Sequence, residues 1–216
     1  MTIKLVCFDW GGVILRICRS WEEGCTAAGV ECRARPDTPD AIAARRELVS
    51  QHQLGLVPCD TFYQQASMVM GGTYTPDEIR RIHDAWLIAE YPGIDEVLAR
   101  LTATRGITTG VLSNTNAAHW ARHLPGPDGQ APDFPAIARL THRHASHLLQ
   151  AAKPTRDVFA AFERATGFHG QEILFFDDLA ENIHAAAAHG WRTQRIDPDG
   201  DTAVQITTHL HTHRVW

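Results

Sequence analysis

The sequence predicts an α/β chain, a doubly wound parallel sheet with a helical domain inserted after its first strand. Three observations predict it. Apolar runs of strand length recur along the chain, helical periodicities separate them, and one connection of about 75 residues is far longer than a crossover needs.

From the N-terminus, Ile3 to Phe8 is nearly all apolar with β-branched members, which reads as a strand buried on both faces. Residues 16–91 read as a helical insertion. Within it Asp60, Phe62 and Tyr63 open one helix, and Thr75, Pro76 and Glu78 form a capping box with proline at the first helical position. Residues 1–15 and 92–216 then form the core. In that second segment Ile94, Val97, Leu98 and Leu101 share a helical face, and Thr108 to Leu112 is a strand. Pro125 to Pro135 is a loop, and Ala136 to Leu140 is read as the third core strand. Val158, Phe159 and Phe162 mark a helix that Gly167 closes, and Ile173 to Phe176 is the next strand. A helix over Ala180 to His189, closed by Gly190, and a strand over Thr193 to Ile196 complete the pattern.

Composition narrows the function. The 216 residues are 44% hydrophobic and 21% charged, enough to bury a core unaided. Lys and Arg number 20 against 25 Asp and Glu with no basic run, which argues against a nucleic-acid partner. No apolar run approaches the roughly 20 residues that cross a bilayer, and Lys4 and Asp9 interrupt the stretch where a signal sequence would be continuous. A cytoplasmic protein, monomer or homodimer, is expected. The five cysteines are odd in number and crowded into the first third, so reduced thiols are expected. Cys18, Cys25 and Cys32 recur every seven residues, as on one helix face, but metal sites use tighter pairs and buried side chains are the simpler reading. His209, His211 and His213 alternate as strand ligands would, yet read better as a solvated tail; His142, His144 and His147 fall nearer the predicted pocket.

Four residue sets converge on one sheet edge. Asp9 follows the first strand, with Gly11 and Gly12 leaving its carboxylate open to a ligand. Ser113 and Asn114 follow the second strand, Lys153 and Pro154 precede a helix, and Asp177 and Asp178 end the fourth strand. Each alone reads as a turn former, helix cap or surface charge; together they describe phosphoryl chemistry. An attacking carboxylate and a phosphate repel, so a cation must stand between them. Asp9, Asp178 and the Gly11 carbonyl offer hard oxygens to Mg²⁺, while Lys153, Ser113 and nearby backbone N–H groups hold phosphoryl oxygens. Asp9 would attack in line, giving an aspartyl phosphate that water hydrolyses. Asp177 would orient Lys153 or a metal-bound water, and Asn114 and Asn182 read equally as residues that fix their neighbours by hydrogen bonds or as plain turn and helix-cap residues.

Phe8-Asp9-Trp10-Gly11-Gly12-Val13, Leu112-Ser113-Asn114-Thr115-Asn116, Lys153-Pro154 and Phe175-Phe176-Asp177-Asp178 with Glu181-Asn182 resemble the motifs of the haloacid dehalogenase superfamily across nearly the whole chain. The resemblance implies a Rossmann-type core, a small C1-type helical cap, Mg²⁺ and a small phosphate ester as substrate. Gly11, with His52 and Gly55, resembles the bacterial sugar-1-phosphate phosphatases (α-D-glucose-1-phosphate phosphatase-like), although Gln53 stands where an acid is usual. Most phosphatases of the superfamily carry a second Asp at the position of Gly11, as the acid that protonates the leaving group. Its loss, typically worth about 10² to 10⁴ in rate, leaves three readings open: an intrinsically good leaving group, a proton from the cap with His52 as candidate, or lost catalysis. The rivals to a phosphatase are therefore a non-catalytic binder of phosphorylated ligands and a metal-independent dehalogenase.

Overall fold

The computed structural model describes residues 2–216. Among them seven strands and ten α-helices run in the order β1 Leu5–Phe8, β2 Leu15–Ile17, α1 Trp21–Ala28, α2 Pro39–Gln53, α3 Cys59–Val69, α4 Pro76–Asp84, β3 Leu87–Glu90, α5 Ile94–Thr102, β4 Thr108–Ser113, α6 Ala117–Ala121, β5 His142–Ala145, α7 Ser146–Leu149, α8 Arg156–Thr166, β6 Ile173–Asp177, α9 Ala180–Ala188, β7 Arg192–Arg195 and α10 Thr202–Thr212.

Five strands make one parallel sheet in the order β5-β4-β1-β6-β7. Alternation explains why β1 reads as continuously apolar. Val6 and Phe8 pack on one face with Ile94, Leu98 and Leu101 of α5 and Ile206 and Leu210 of α10. Leu5 and Cys7 pack on the other with Val158, Phe159 and Phe162 of α8. From β1 the chain builds outward through β4 and β5, then returns to the opposite side with β6 and β7. That reversal puts a crevice at the C-terminal ends of β1 and β6, where ligands of such sheets bind.

The long connection leaves along β2 and returns along β3, an antiparallel two-stranded ribbon that the sequence pattern did not disclose. Between them α1–α4 build a core of their own from Cys25, Leu48, Phe62, Tyr63, Tyr74, Ile79 and Ile82. The capping box at α4 forms as expected, Glu78 N–H donating to Thr75 Oγ1 at 3.2 Å and Thr75 N–H to Glu78 Oε2 at 2.8 Å.

Three expectations need correction. Ala136 to Leu140 is no strand: Ala136–Arg139 is a 3₁₀ turn whose Ala136 and Ile137, with Leu140, face the core, and Ala136 N–H donates to Glu90 Oε1 at 2.6 Å. The third core strand is β5, hidden because an edge strand with half-exposed side chains can be spelled His-Arg-His-Ala. The C-terminal histidines do not lie on a solvated tail. Ala203, Ile206 and Leu210 give α10 a buried face, Asp201 caps it by accepting from Val204 N–H at 2.9 Å, and His209 and His211 point to different sides of a helix. Finally, the three cysteines are not all buried: Cys25 in α1 and Cys18 before it are, whereas Cys32, in the segment after α1, is exposed; all five thiols are free. No helix among the described residues is long and apolar enough to cross a membrane.

Candidate active site

Lys153 organises the sheet edge. Its side chain is fully buried, with Nζ 2.7 Å from Asp177 Oδ2 and 3.0 Å from Asp9 Oδ1. The segment carrying it is held by Asn114, which donates to Lys153 O at 2.7 Å and accepts from Lys153 N–H at 2.9 Å. Asp177 is fixed in turn by Asn182 Nδ2, 3.0 Å from both carboxylate oxygens, and by Leu179 N–H at 2.8 Å. Strand β1 delivers Asp9 and β6 delivers Asp177 and Asp178; carboxylate oxygens of all three lie within 4.8 Å of one another, every residue buried. Ser113, 3% exposed, ends β4 beside them.

Such crowding of acids is reflected in their electrostatics. Burial, reinforced by the charges of Asp177 and Asp178, pushes Asp9 up to about 7 against the opposing pull of Lys153. For Lys153 burial acts downward, but Asp177 and Asp9 outweigh it and hold the ammonium above its ordinary value. Two cations, Lys153 and Arg19, thus stand against three carboxylates, and a bound divalent ion would offset the charge that remains.

The donor set suits a hard divalent ion. Asp9 Oδ1 is taken up by Trp10 N–H at 2.7 Å and by Lys153, which leaves Oδ2. Asp178 spends Oδ2 on Arg19 Nη1 at 2.8 Å and keeps Oδ1. Gly12 N–H and Leu15 N–H use Leu15 O and Trp10 O at 2.7 and 2.8 Å, and the Gly11 carbonyl accepts no hydrogen bond among the described residues. Two carboxylate oxygens and a carbonyl are the ligands magnesium prefers. Gly12 makes the approach possible. At φ +79° its missing Cβ would stand 2.6 Å from Asp178 Oδ2 and 2.9 Å from Arg19 Nη2. Arg19 itself, in the turn between β2 and α1, escaped the sequence reading because no motif spacing marks it.

Gly11 has different neighbours. A Cβ there would come 3.0 Å from Ile17 Cδ1, the tip of a β2 side chain that would have to give by a few tenths of an ångström. A cavity of about 540 Å³ opens beyond it, between the sheet edge and the helical insertion. Gly11, Ser113 and Asn114 are in its lining, as are His52 of α2, His83 of α4 and His119 of α6; Asp9, Lys153, Asp177 and Asp178 are not.

His52 has one ring nitrogen bonded and the other sealed within the protein. Its Nδ1 lies 2.8 Å from Val57 O, and a carbonyl only accepts, so Nδ1 carries the proton. Burial lowers its pKa, and Nε2 is left as a bare, buried nitrogen without a partner. A group in that state cannot protonate a leaving oxygen near neutral pH. His83 and His119, stacked at 3.8 Å, are also held low by burial, His119 at about 4. His119 Nε2 reaches His83 O at 2.7 Å and Asn116 Nδ2 reaches His83 Nε2 at 3.0 Å, tying α4 to the core. His142, His144 and His147 are absent from the lining, while Trp10 packs edge-on against Trp120 with only its rim on the cavity.

Residues 3–190 match the model of the haloacid dehalogenase-like hydrolases. The chain belongs to that family. Within it, a phosphatase, MT3486, of Mycobacterium tuberculosis is 28% identical over 131 residues; these are 61% of this chain but only 57% of that relative's length. Among solved structures, a predicted HAD-like hydrolase from Porphyromonas gingivalis superposes with a TM-score of 0.71 at 22% identity, covering 97% of this chain and 98% of the other. The HAD family enzyme bt-2542 of Bacteroides thetaiotaomicron, in complex with magnesium and inorganic phosphate, superposes with a TM-score of 0.67 at 22% identity over 92% of this chain and 96% of that one. At such identities these structures share the fold of the family hydrolase described here.

Proposed function

We propose that this hydrolase is a Mg²⁺-dependent phosphatase that cleaves a small phosphate ester through a phosphorylated Asp9. The carrying observation is the Lys153 ammonium buried against Asp9 and Asp177, with Asp178 close enough to share one cation. Support comes also from the phosphatase among the relatives and from the magnesium and phosphate held by the Bacteroides enzyme of like fold.

Asp9, Asp178 and the Gly11 carbonyl would hold the metal, whose charge, when bound, offsets the repulsion between carboxylate and phosphate. The Asp9 carboxylate attacks phosphorus through the oxygen that the metal would not hold, the bond to the ester oxygen breaks, and that oxygen leaves with its electron pair. Lys153 and the Ser113 hydroxyl hold the phosphoryl oxygens while charge redistributes. Water then displaces Asp9 from phosphorus and releases phosphate. Asp177 keeps Lys153 charged and in place, and Asn114 and Asn182 anchor those two. The four helices between β2 and β3 serve as the cap, closing the cavity from the side opposite the sheet.

With Gly11 in place of an acid and His52 neutral, the ester oxygen departs without a proton from either, so the substrate is an ester whose oxygen is a good leaving group. The sugar 1-phosphate reading rests on Gly11 and on His52 with Gly55 as motif resemblances. Hydrolysis of an aryl phosphate, abolished by chelator and by Asp9→Asn, is the expected result. Halide release from a 2-haloacid without metal would favour a dehalogenase; saturable phosphate-ester binding without turnover would favour a binding module.

A further inference from the structure

We infer that the substrate is an aryl phosphate carrying a second acidic group, its ring held in the cavity between α1–α4 and the sheet edge; this rests on the phosphatase reading above. Three features of the cavity carry the inference. Its walls are largely aromatic and aliphatic, with Trp21, Phe62, Ile79, Ile82 and Trp86 among them. These apolar walls favour burial of a ring system, while polar groups such as Gln53, Asn114 and Asn116 lie elsewhere in the lining. About 540 Å³ lies within the range that encloses a ligand of one or two rings.

The second feature is charge. In a protein of net charge −5, the cavity lining holds Arg35, Arg45 and Arg46 and no carboxylate. Arg45 is paired with Asp37 at 3.4 Å. Arg35 lies over the Trp21 ring, 5.2 Å from its centroid, and neither it nor Arg46 forms an ion pair among the described residues. Two guanidinium groups beside an aromatic wall fit the carboxylate of a ring-bearing acid.

The third feature is Gly11. With glycine at position 11 supplying no acid, the ester oxygen must carry its own electron pair away. A phenolate does so far more readily than an alkoxide. The bond that forms joins a carboxylate oxygen of Asp9 to phosphorus, the bond that breaks is phosphorus to phenolic oxygen, and solvent protonates the phenolate afterwards.

N-acetyl-O-phospho-L-tyrosine joins an aryl phosphate, a carboxylate and an amide N–H, and its methyl ester removes only the carboxylate charge. With Mg²⁺, kcat/KM for the acid is expected to exceed that for the ester by about tenfold, and both to exceed that for glucose 1-phosphate. In the Arg35→Gln/Arg46→Gln double variant the ratio of acid to ester should fall to near one. Equal values for acid and ester in the wild type, or preference for glucose 1-phosphate, would overturn the inference and leave the phosphatase reading standing. If no phosphate ester is hydrolysed, the phosphatase reading falls, and calorimetry of the wild type with N-acetyl-O-phospho-L-tyrosine decides the rest: saturable binding weakened in the double variant upholds the ligand class, and absence of binding ends it.

Discussion

At the sheet edge the protein answers its own charges: Lys153 sits between Asp9 and Asp177, Asn182 bridges both oxygens of Asp177, and Arg19 takes one oxygen of Asp178. In the neighbouring cavity, among the described residues, His52 Nε2 has no hydrogen-bond partner and Arg35 and Arg46 form no direct ion pair, although the charge of Arg35 acts on Glu22. The first region is built before any ligand arrives, and the second is left for a ligand to complete. Chemistry common to a family can be prewired in this way, whereas selectivity depends on groups whose bonds are still open.

The sharpest way to break the contrast is at the nucleophile. Asp9→Asn should lower kcat by about 10⁴-fold or more with an unchanged circular dichroism spectrum; residual turnover within about tenfold of wild type would remove Asp9 from the chemistry. Next in size is Lys153→Met, which leaves buried carboxylates unpaired and should cost about 3–5 kcal/mol in denaturant unfolding.

How much of this was legible beforehand follows from the kind of signal each residue gives. Asp9, Lys153, Asp177 and Asp178 come directly after or before strands and helices whose apolar periodicity is strong, and so their convergence on one edge followed from topology. Arg19 and the three cavity arginines gave no signal, because they reach the site from helices and turns whose orientation depends on packing. β5 and α10 were misread for opposite reasons. An edge strand tolerates polar residues on both faces, and α10 buries one narrow stripe, Ala203, Ile206 and Leu210, beneath histidines whose alternation drew the eye.

A pH titration sharpens the contrast further. Burial holds His119 at about 4, so the folded protein keeps it neutral while the unfolded chain protonates it below its ordinary value near 6.5. The unfolded state then binds more protons, and the stability is fully present above about 6.5 and lost as pH falls toward 4, on the order of 3 kcal/mol. Asp9, held up at about 7, works in the opposite sense over an overlapping range. The check is therefore the difference in unfolding free energy between wild type and His119→Gln, which should shrink on acidification; a flat difference would contradict the assignment. The smallest effect is expected at Gly11→Asp. With Ile17 Cδ1 3.0 Å from the new Cβ, the variant should lose about 1 kcal/mol of stability and gain no more than a few-fold in kcat.

The most direct measurement is a single-turnover reaction with Mg²⁺ and an aryl phosphate, quenched in acid and digested for mass spectrometry. The expected result is one phosphoryl group on the peptide from Leu5 to Arg16, located at Asp9, appearing and decaying on the timescale of phosphate release. Phosphate released with that peptide unmodified at every time, or the phosphoryl group on another residue, would contradict it.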